Sequence, residues 1–156
     1  GLGLDGLLHY YVGSEKFMMP AVEDAFIKHV NWSANKSRPY LVEGSKFLLE
    51  KLASEETKQG ITATACGFYG PQGRFLRLEP NPADINEYLT SFQYEDLRIT
   101  NFEMETSAIY GLAAMMGHEA LSLNAIVANR ILGEFSTDSY ATVDKMIVYA
   151  LEKLAQ

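Results

Sequence analysis

The run Ile61-Thr62-Ala63-Thr64-Ala65-Cys66 alternates and is rich in β-branched residues, and it empties into Gly67-Phe68-Tyr69-Gly70-Pro71-Gln72-Gly73-Arg74, with three glycines and a proline in eight residues. Branched side chains are crowded in a helix and fit a pleated strand, whereas clustered glycine and proline interrupt both. From Ile61 onward the order is strand, loop, helix, strand, loop, helix, the pattern of an α/β domain. In open α/β sheets ligands bind beyond the C-terminal ends of the strands, which makes the 67–74 loop a candidate site. Phe68 can lie against a flat ring, Gln72 offers a donor and an acceptor together, and Arg74 offers a fork of donors. Two readings stay open here: recognition of a heterocyclic edge, or an ordinary loop with an exposed aromatic and an arginine.

A second segment places chemistry beside an apolar run. In Thr100 to Met116, Glu103 and Glu105 stand two residues apart, and Met104, Ala108, Leu112 and Met115 recur at helical spacing, with Gly117 as the stop. Carboxylates at the mouth of an apolar segment need a hydrogen-bonding partner. A bound polyol would serve, and so would a solvated helix start capped by Thr100 or Asn101.

Gly1 to Gly6 resembles an internal strand or a strand leading into a turn, and Leu7 to Val12 is read as a strand. Helices are expected at Pro20 to Val30, at about Ser45 to Glu56 with Phe47, Leu48 and Leu52 inward, and at Thr142 to Ala155 with Val143, Ile147, Ala150, Leu151 and Leu154 inward. Ala120 to Ala128 reads as a mostly buried strand that delivers Asn129 and Arg130 to the same rim as the other two segments. Gly133 to Ser139 reads as a flexible loop able to cover a site. The single Cys66 is expected in the core at a strand end.

With 156 residues and 47% hydrophobic content the chain can bury one sizeable core. Thirteen Lys and Arg stand against twenty Asp and Glu, with no basic stripe, which argues against nucleic acid as a partner. No apolar run approaches the length of about eighteen residues needed for a membrane span. One cysteine excludes an intrachain disulfide and fits a reducing, cytoplasmic setting. His9, His29 and His118 are scattered and show no metal-ligand spacing.

Taken together, Phe68 to Arg74, Phe102-Glu103-Met104-Glu105 and Val127-Ala128-Asn129-Arg130 resemble the nucleoside phosphorylases of the trimeric and hexameric superfamily, most closely the uridine phosphorylases. The resemblance implies a three-layer α/β/α fold with a mixed central sheet. It also implies that residues 1–156 are the C-terminal portion of a single phosphorylase domain, incomplete at the N-terminus, with the first strands missing and a hydrophobic edge exposed.

By the same resemblance, Phe68 packs on the base or sugar, and Gln72 and Arg74 bond the ring nitrogen and carbonyl oxygens of uracil. Glu103, Met104 and Glu105 line the ribose, with Glu105 accepting from its 2′ and 3′ hydroxyls. Val127 and Ala128 flank the base, and Arg130 lies near it, steadying the adjoining loop. Gln72, Arg74, Glu105 and Arg130 are the implied catalytic set.

Purine-cleaving relatives carry Ser-Asp after this strand. Here Ala128-Asn129-Arg130 contains no acid, which favours a pyrimidine. Two features depart from the uridine phosphorylase pattern: Gly70-Pro71 replaces the usual order before Gln72, which alters the loop's torsions, and Ala108-Ile109-Tyr110-Gly111 is similar to the purine-directed branch.

The implied reaction is phosphate-dependent cleavage of uridine to uracil and ribose 1-phosphate. It uses no cofactor or metal, takes phosphate as co-substrate, and runs in a homo-oligomer, a dimer or a ring of dimers. The family's phosphate-holding motifs are absent from these residues, so the polypeptide alone is expected to be inactive. A purine nucleoside phosphorylase or nucleosidase, and a non-catalytic nucleoside-binding fragment, are the competing expectations.

Overall fold

The computed structural model describes residues 1–156. Its centre is a five-stranded mixed sheet in the order β2-β1-β3-β5-β4, built from β1 (Leu2–Gly3), β2 (Tyr40–Leu41), β3 (Ile61–Thr64), β4 (Gln93–Tyr94) and β5 (Leu97–Glu103). The inner trio β1, β3 and β5 is parallel, and the flanking β2 and β4 run antiparallel to their neighbours. β3 and β5 pair with a register shift after Ile61, after which Thr64 lies opposite Glu103.

Pleating sorts adjacent residues to opposite faces. Leu41 joins Leu2, Ile61 and Ala63 beneath α1 (Pro20–Val30) and α3 (Ile85–Ser91), in a core that includes Val22, Phe26, Leu89 and Phe92. Its neighbours Tyr40 and Val42 join Leu8 and Tyr110 on the other face, beneath α4 (Thr106–Met115). Helices on both faces of a mixed sheet make the three-layer α/β architecture. Phe26 and Phe92 meet edge to face at 5.2 Å, and burying one such ring stabilises the fold by about 1.5–3 kcal/mol. β1 passes this core closely: a Cβ on Gly3 would stand 2.3 Å from Cζ of Tyr40, so the strand approaches the ring only because residue 3 has no side chain.

Several expectations are corrected. Leu7 to Val12 is not a strand. Gly6 takes a left-handed turn at φ 71°, Asp5 accepts from the Leu7 N–H at 2.9 Å, and Leu7–Tyr10 winds into a 3₁₀ turn that leaves Tyr10 and Val12 in solvent. Local side-chain bonding to the backbone outweighs β propensity there.

Ala120 to Ala128 is not a buried strand of the sheet. Only β6 (Ala128–Asn129) is extended, pairing with β7 (Glu134–Phe135) in a separate exposed ribbon, so 133–139 is not simply a loop. α2 (Lys46–Leu52) is capped by Ser45 and ends before Glu56, and Phe47 is exposed. α5 (Ser139–Leu154) buries none of its residues. It touches the rest of the molecule mainly through α2, where the Tyr149 hydroxyl donates to Leu52 O at 2.6 Å.

Cys66 is exposed because β3 ends at Thr64 and residue 66 already belongs to the loop. The bare edge expected at the first strand is absent: β1 is paired on both sides and Leu2 is fully buried. No helix is long and apolar enough to cross a membrane.

Candidate functional site

The site begins where β3 and β5 end side by side. Ala65 N–H donates to Glu103 O at 2.8 Å, so the loops 65–74 and 103–106 leave the same rim of the sheet. In the first, residues 70–72 form a 3₁₀ turn closed by Gly73 at φ 69°, a left-handed conformation that favours glycine. That turn drives Gln72 inward until the residue is 3% exposed.

Two arginines converge on Gln72, and one of them brings in Phe68. Arg74 donates from Nη1 to Gln72 Oε1 at 2.5 Å and also to the Phe68 carbonyl, and its guanidinium lies 3.5 Å from the centre of the Phe68 ring. Arg130 arrives from the ribbon. Its Nη2 donates to the same Oε1 at 2.6 Å and its Nη1 to the Gln72 carbonyl at 3.3 Å, while its guanidinium sits 6.0 Å from the Phe102 ring. An amide oxygen has two lone pairs, and both now face guanidiniums.

Neither arginine is in an ion pair; the salt bridges of the molecule involve Arg38 and Lys46. Partial burial, followed by the nearby Arg74 charge, holds the Arg130 guanidinium below its ordinary value. In a chain of net charge -7 this is a local positive focus with no carboxylate neutralising it.

The acidic segment differs from the expected helix start. Glu103 is the last residue of β5, Glu105 occupies the N-cap position, and the helix begins at Thr106. Neither Thr100 nor Asn101 caps it, and Asn101 Oδ1 instead accepts from the Thr62 hydroxyl at 2.7 Å. The cap is Glu103, whose Oε2 accepts from the N–H groups of Glu105 and Thr106, both at 2.7 Å. Its Oε1 accepts from the Thr64 hydroxyl at 2.6 Å. Met104 and Glu105 are exposed, and Glu105 accepts from the Met104 N–H at 3.2 Å.

Val127 and Ala128 stand at the base of the ribbon, exposed and next to Arg130 in sequence; Val127 O accepts from Ser136 N–H at 2.9 Å. The structure therefore gathers Phe68, Gln72, Arg74 and Arg130 into one bonded cluster and sets Glu103 to Glu105 on the adjoining strand end. It does not join Val127 or Ala128 to either by a hydrogen bond.

Sequence reasoning missed Thr64 and Ser107, and it gave Phe102, quoted with the acidic pair, no role of its own. The one signal was a second hydroxyl within the alternating run 61–66. A cavity of about 360 Å³ lies behind the 67–73 loop, lined by Leu4, Asp5, Trp32, Cys66, Pro71 and Ile85 among others, and contains neither Gln72 nor Glu105. No group of three or more His, Cys, Asp or Glu side chains is placed to hold a metal ion.

Comparison with known proteins bears on this arrangement. The family model described as the phosphorylase superfamily matches residues 10–155. A uridine phosphorylase of Thermococcus kodakarensis is 40% identical over 82 residues, which is 49% of this chain and 27% of that protein. A solved nucleoside phosphorylase of Trypanosoma brucei, whose structure is described as showing uridine phosphorylase activity, superposes with a TM-score of 0.80 at 25% identity, covering 99% of this chain and 55% of that one. The chain thus corresponds to about half the length of the solved relative.

The expectation that residues 1–156 match only the C-terminal portion of the family is corrected: the family model matches residues 10–155, nearly the entire chain. A match of that extent places the chain in the phosphorylase superfamily.

Proposed function

We propose that this chain forms the base-binding and ribose-binding part of a pentosyltransferase that cleaves uridine with inorganic phosphate, giving uracil and ribose 1-phosphate. The observation that carries the reading is the convergence of Arg74 and Arg130 on Oε1 of Gln72. Glycosidic cleavage leaves negative charge on the departing pyrimidine, and preorganised donors aimed at that charge lower the barrier.

Uracil N3–H needs an acceptor, and Gln72 Oε1 supplies one when a guanidinium gives up its place. The displaced arginine then has a donor free for a ring carbonyl oxygen. Phe68 covers the base, Val127 and Ala128 border it, Met104 packs on the sugar, and Glu105 accepts from the ribose hydroxyls, holding the ring as positive charge grows on it. The names of the relatives agree with this substrate, since one is called a uridine phosphorylase and the other is described as having that activity. The missing acid after Ala128 favours a pyrimidine over a purine. A homo-oligomer is part of the same reading.

The test, made on the complete protein because residues 1–156 lack the phosphate-holding motifs, is release of free base from uridine, thymidine, inosine and adenosine, each with and without phosphate. Phosphate-dependent uracil release is the expected result. Purine release, phosphate-independent hydrolysis, or binding with no release would each overturn it.

A further inference from the structure

We infer that Thr64 and Glu103 are positioning residues: they clamp the start of α4 so that Glu105 meets the ribose, and Glu103 acts through Glu105 rather than on the sugar. This rests on the reading above.

Both oxygens of Glu103 are already committed. Oε2 takes two backbone N–H groups, those of Glu105 and Thr106, at 2.7 Å each, and so fills both of its lone pairs. Oε1 takes the Thr64 hydroxyl at 2.6 Å. Bonds from backbone N–H groups to an ionised carboxylate are stronger than neutral ones. Residue 105 is therefore tied through its own N–H to a carboxylate anchored on the neighbouring strand.

The anchor is itself fixed. Thr64 is fully buried, and its hydroxyl oxygen accepts from the Ser107 N–H at 3.0 Å while its proton goes to Glu103. Ser107 is also fully buried, and its hydroxyl lies 3.0 Å from the Tyr40 hydroxyl. A buried, satisfied chain thus runs from Tyr40 under the sheet through Ser107 and Thr64 to Glu103, and ends at the one exposed carboxylate of the segment. No buried polar side-chain atom in the molecule lacks a partner, and a fully satisfied buried network of this kind rigidifies what it holds. A displacement of about 1 Å at a substrate-holding group can cost about 10²-fold in rate.

The experiment, made on the complete protein, compares wild type with Thr64→Val, which is isosteric but removes the hydroxyl, and Thr64→Ser, which restores it. Two quantities are read: the ratio of kcat/KM for uridine to that for 2′-deoxyuridine, and amide hydrogen exchange at Glu105 and Thr106. The expected result for Thr64→Val is a fall of about tenfold or more in uridine turnover, within the limit of about 10²-fold set by misplacement. The uridine preference should shrink and both amides should exchange faster, and Thr64→Ser should recover all three.

A structural role alone would lower both substrates equally and leave the ratio intact, and that result overturns the inference, as does unchanged exchange at the two amides. If wild type releases no base from either nucleoside, the proposed activity fails. The exchange measurement still decides whether Thr64 and Glu103 hold this backbone.

Discussion

Arg130 donates to Oε1 of Gln72 at 2.6 Å, joining two residues 58 positions apart through the one amide oxygen that Arg74 also uses. Gln72→Leu removes that shared acceptor and leaves two guanidiniums facing an apolar group. The expected outcome is a loss of about 1 kcal/mol of stability, the net worth of a hydrogen bond whose donors, on an exposed Arg130 and a half-exposed Arg74, can turn to water. Uracil release should also fall by about 10²-fold or more, by comparison with loss of a charge-stabilising donor. Urea titration and steady-state kinetics on the same preparation measure both, and unchanged uracil release would remove Gln72 from the base site.

Glu105→Gln is expected to separate activity from folding. The side chain is exposed and accepts only from the neighbouring Met104 N–H, so stability should change by no more than about 0.5 kcal/mol. Uridine turnover should drop by about 10²-fold, because the carboxylate's contribution is realised on the charged sugar. Turnover within a factor of about two of wild type would take the ribose role away from Glu105.

Gly3→Ala tests the close approach of β1 to Tyr40. The new Cβ would lie 2.3 Å from Cζ and 2.5 Å from Cε1 of a ring that is itself fully buried and cannot retreat. Overpacking of this kind costs about 1–3 kcal/mol, visible as a lower denaturation midpoint. An unshifted midpoint would mean that the strand and ring separate freely.

Burial holds the Tyr40 hydroxyl well above its ordinary value of 10.0, with the Ser107 bond opposing the shift and Asp5 adding to it, and burial raises Tyr110 as well. The folded chain therefore keeps protons that the unfolded chain releases above pH of about 10. The stabilisation is fully present below that pH and is lost as pH rises past it. Denaturant midpoints should fall on the alkaline side, and Tyr40→Phe should flatten that fall. An equally steep alkaline fall in Tyr40→Phe would show that Tyr40 is not its source.

Residues whose neighbours lie close in sequence were legible from the beginning. Pro20–Val30, Ile61–Thr64 and the glycine-closed turn around Gln72 follow from branching, spacing and torsional freedom, which act within a few residues. The same holds for the α/β class and for the presence of an amide and a guanidinium in one loop, although the order expected from Ile61 counted a second strand at Ala120 that the sheet lacks. The strand expected at Leu7 and the buried strand expected at Ala120 were not of this kind. Composition there suits an extended core segment, but the Asp5 and Gly6 turn and the exposed ribbon decided otherwise.

Local chemistry thus accounts for the mixed α/β character, the loop carrying Phe68, Gln72 and Arg74, and the acidic pair beside a helix. That Arg130 closes on Gln72, and that Glu103 commits its oxygens to Thr64 and the backbone of α4, followed from folding alone. The reason is physical: strand register and the path of a ribbon are set by packing between distant segments, and a side chain's partner across 39 or 58 residues leaves no local trace in composition or period.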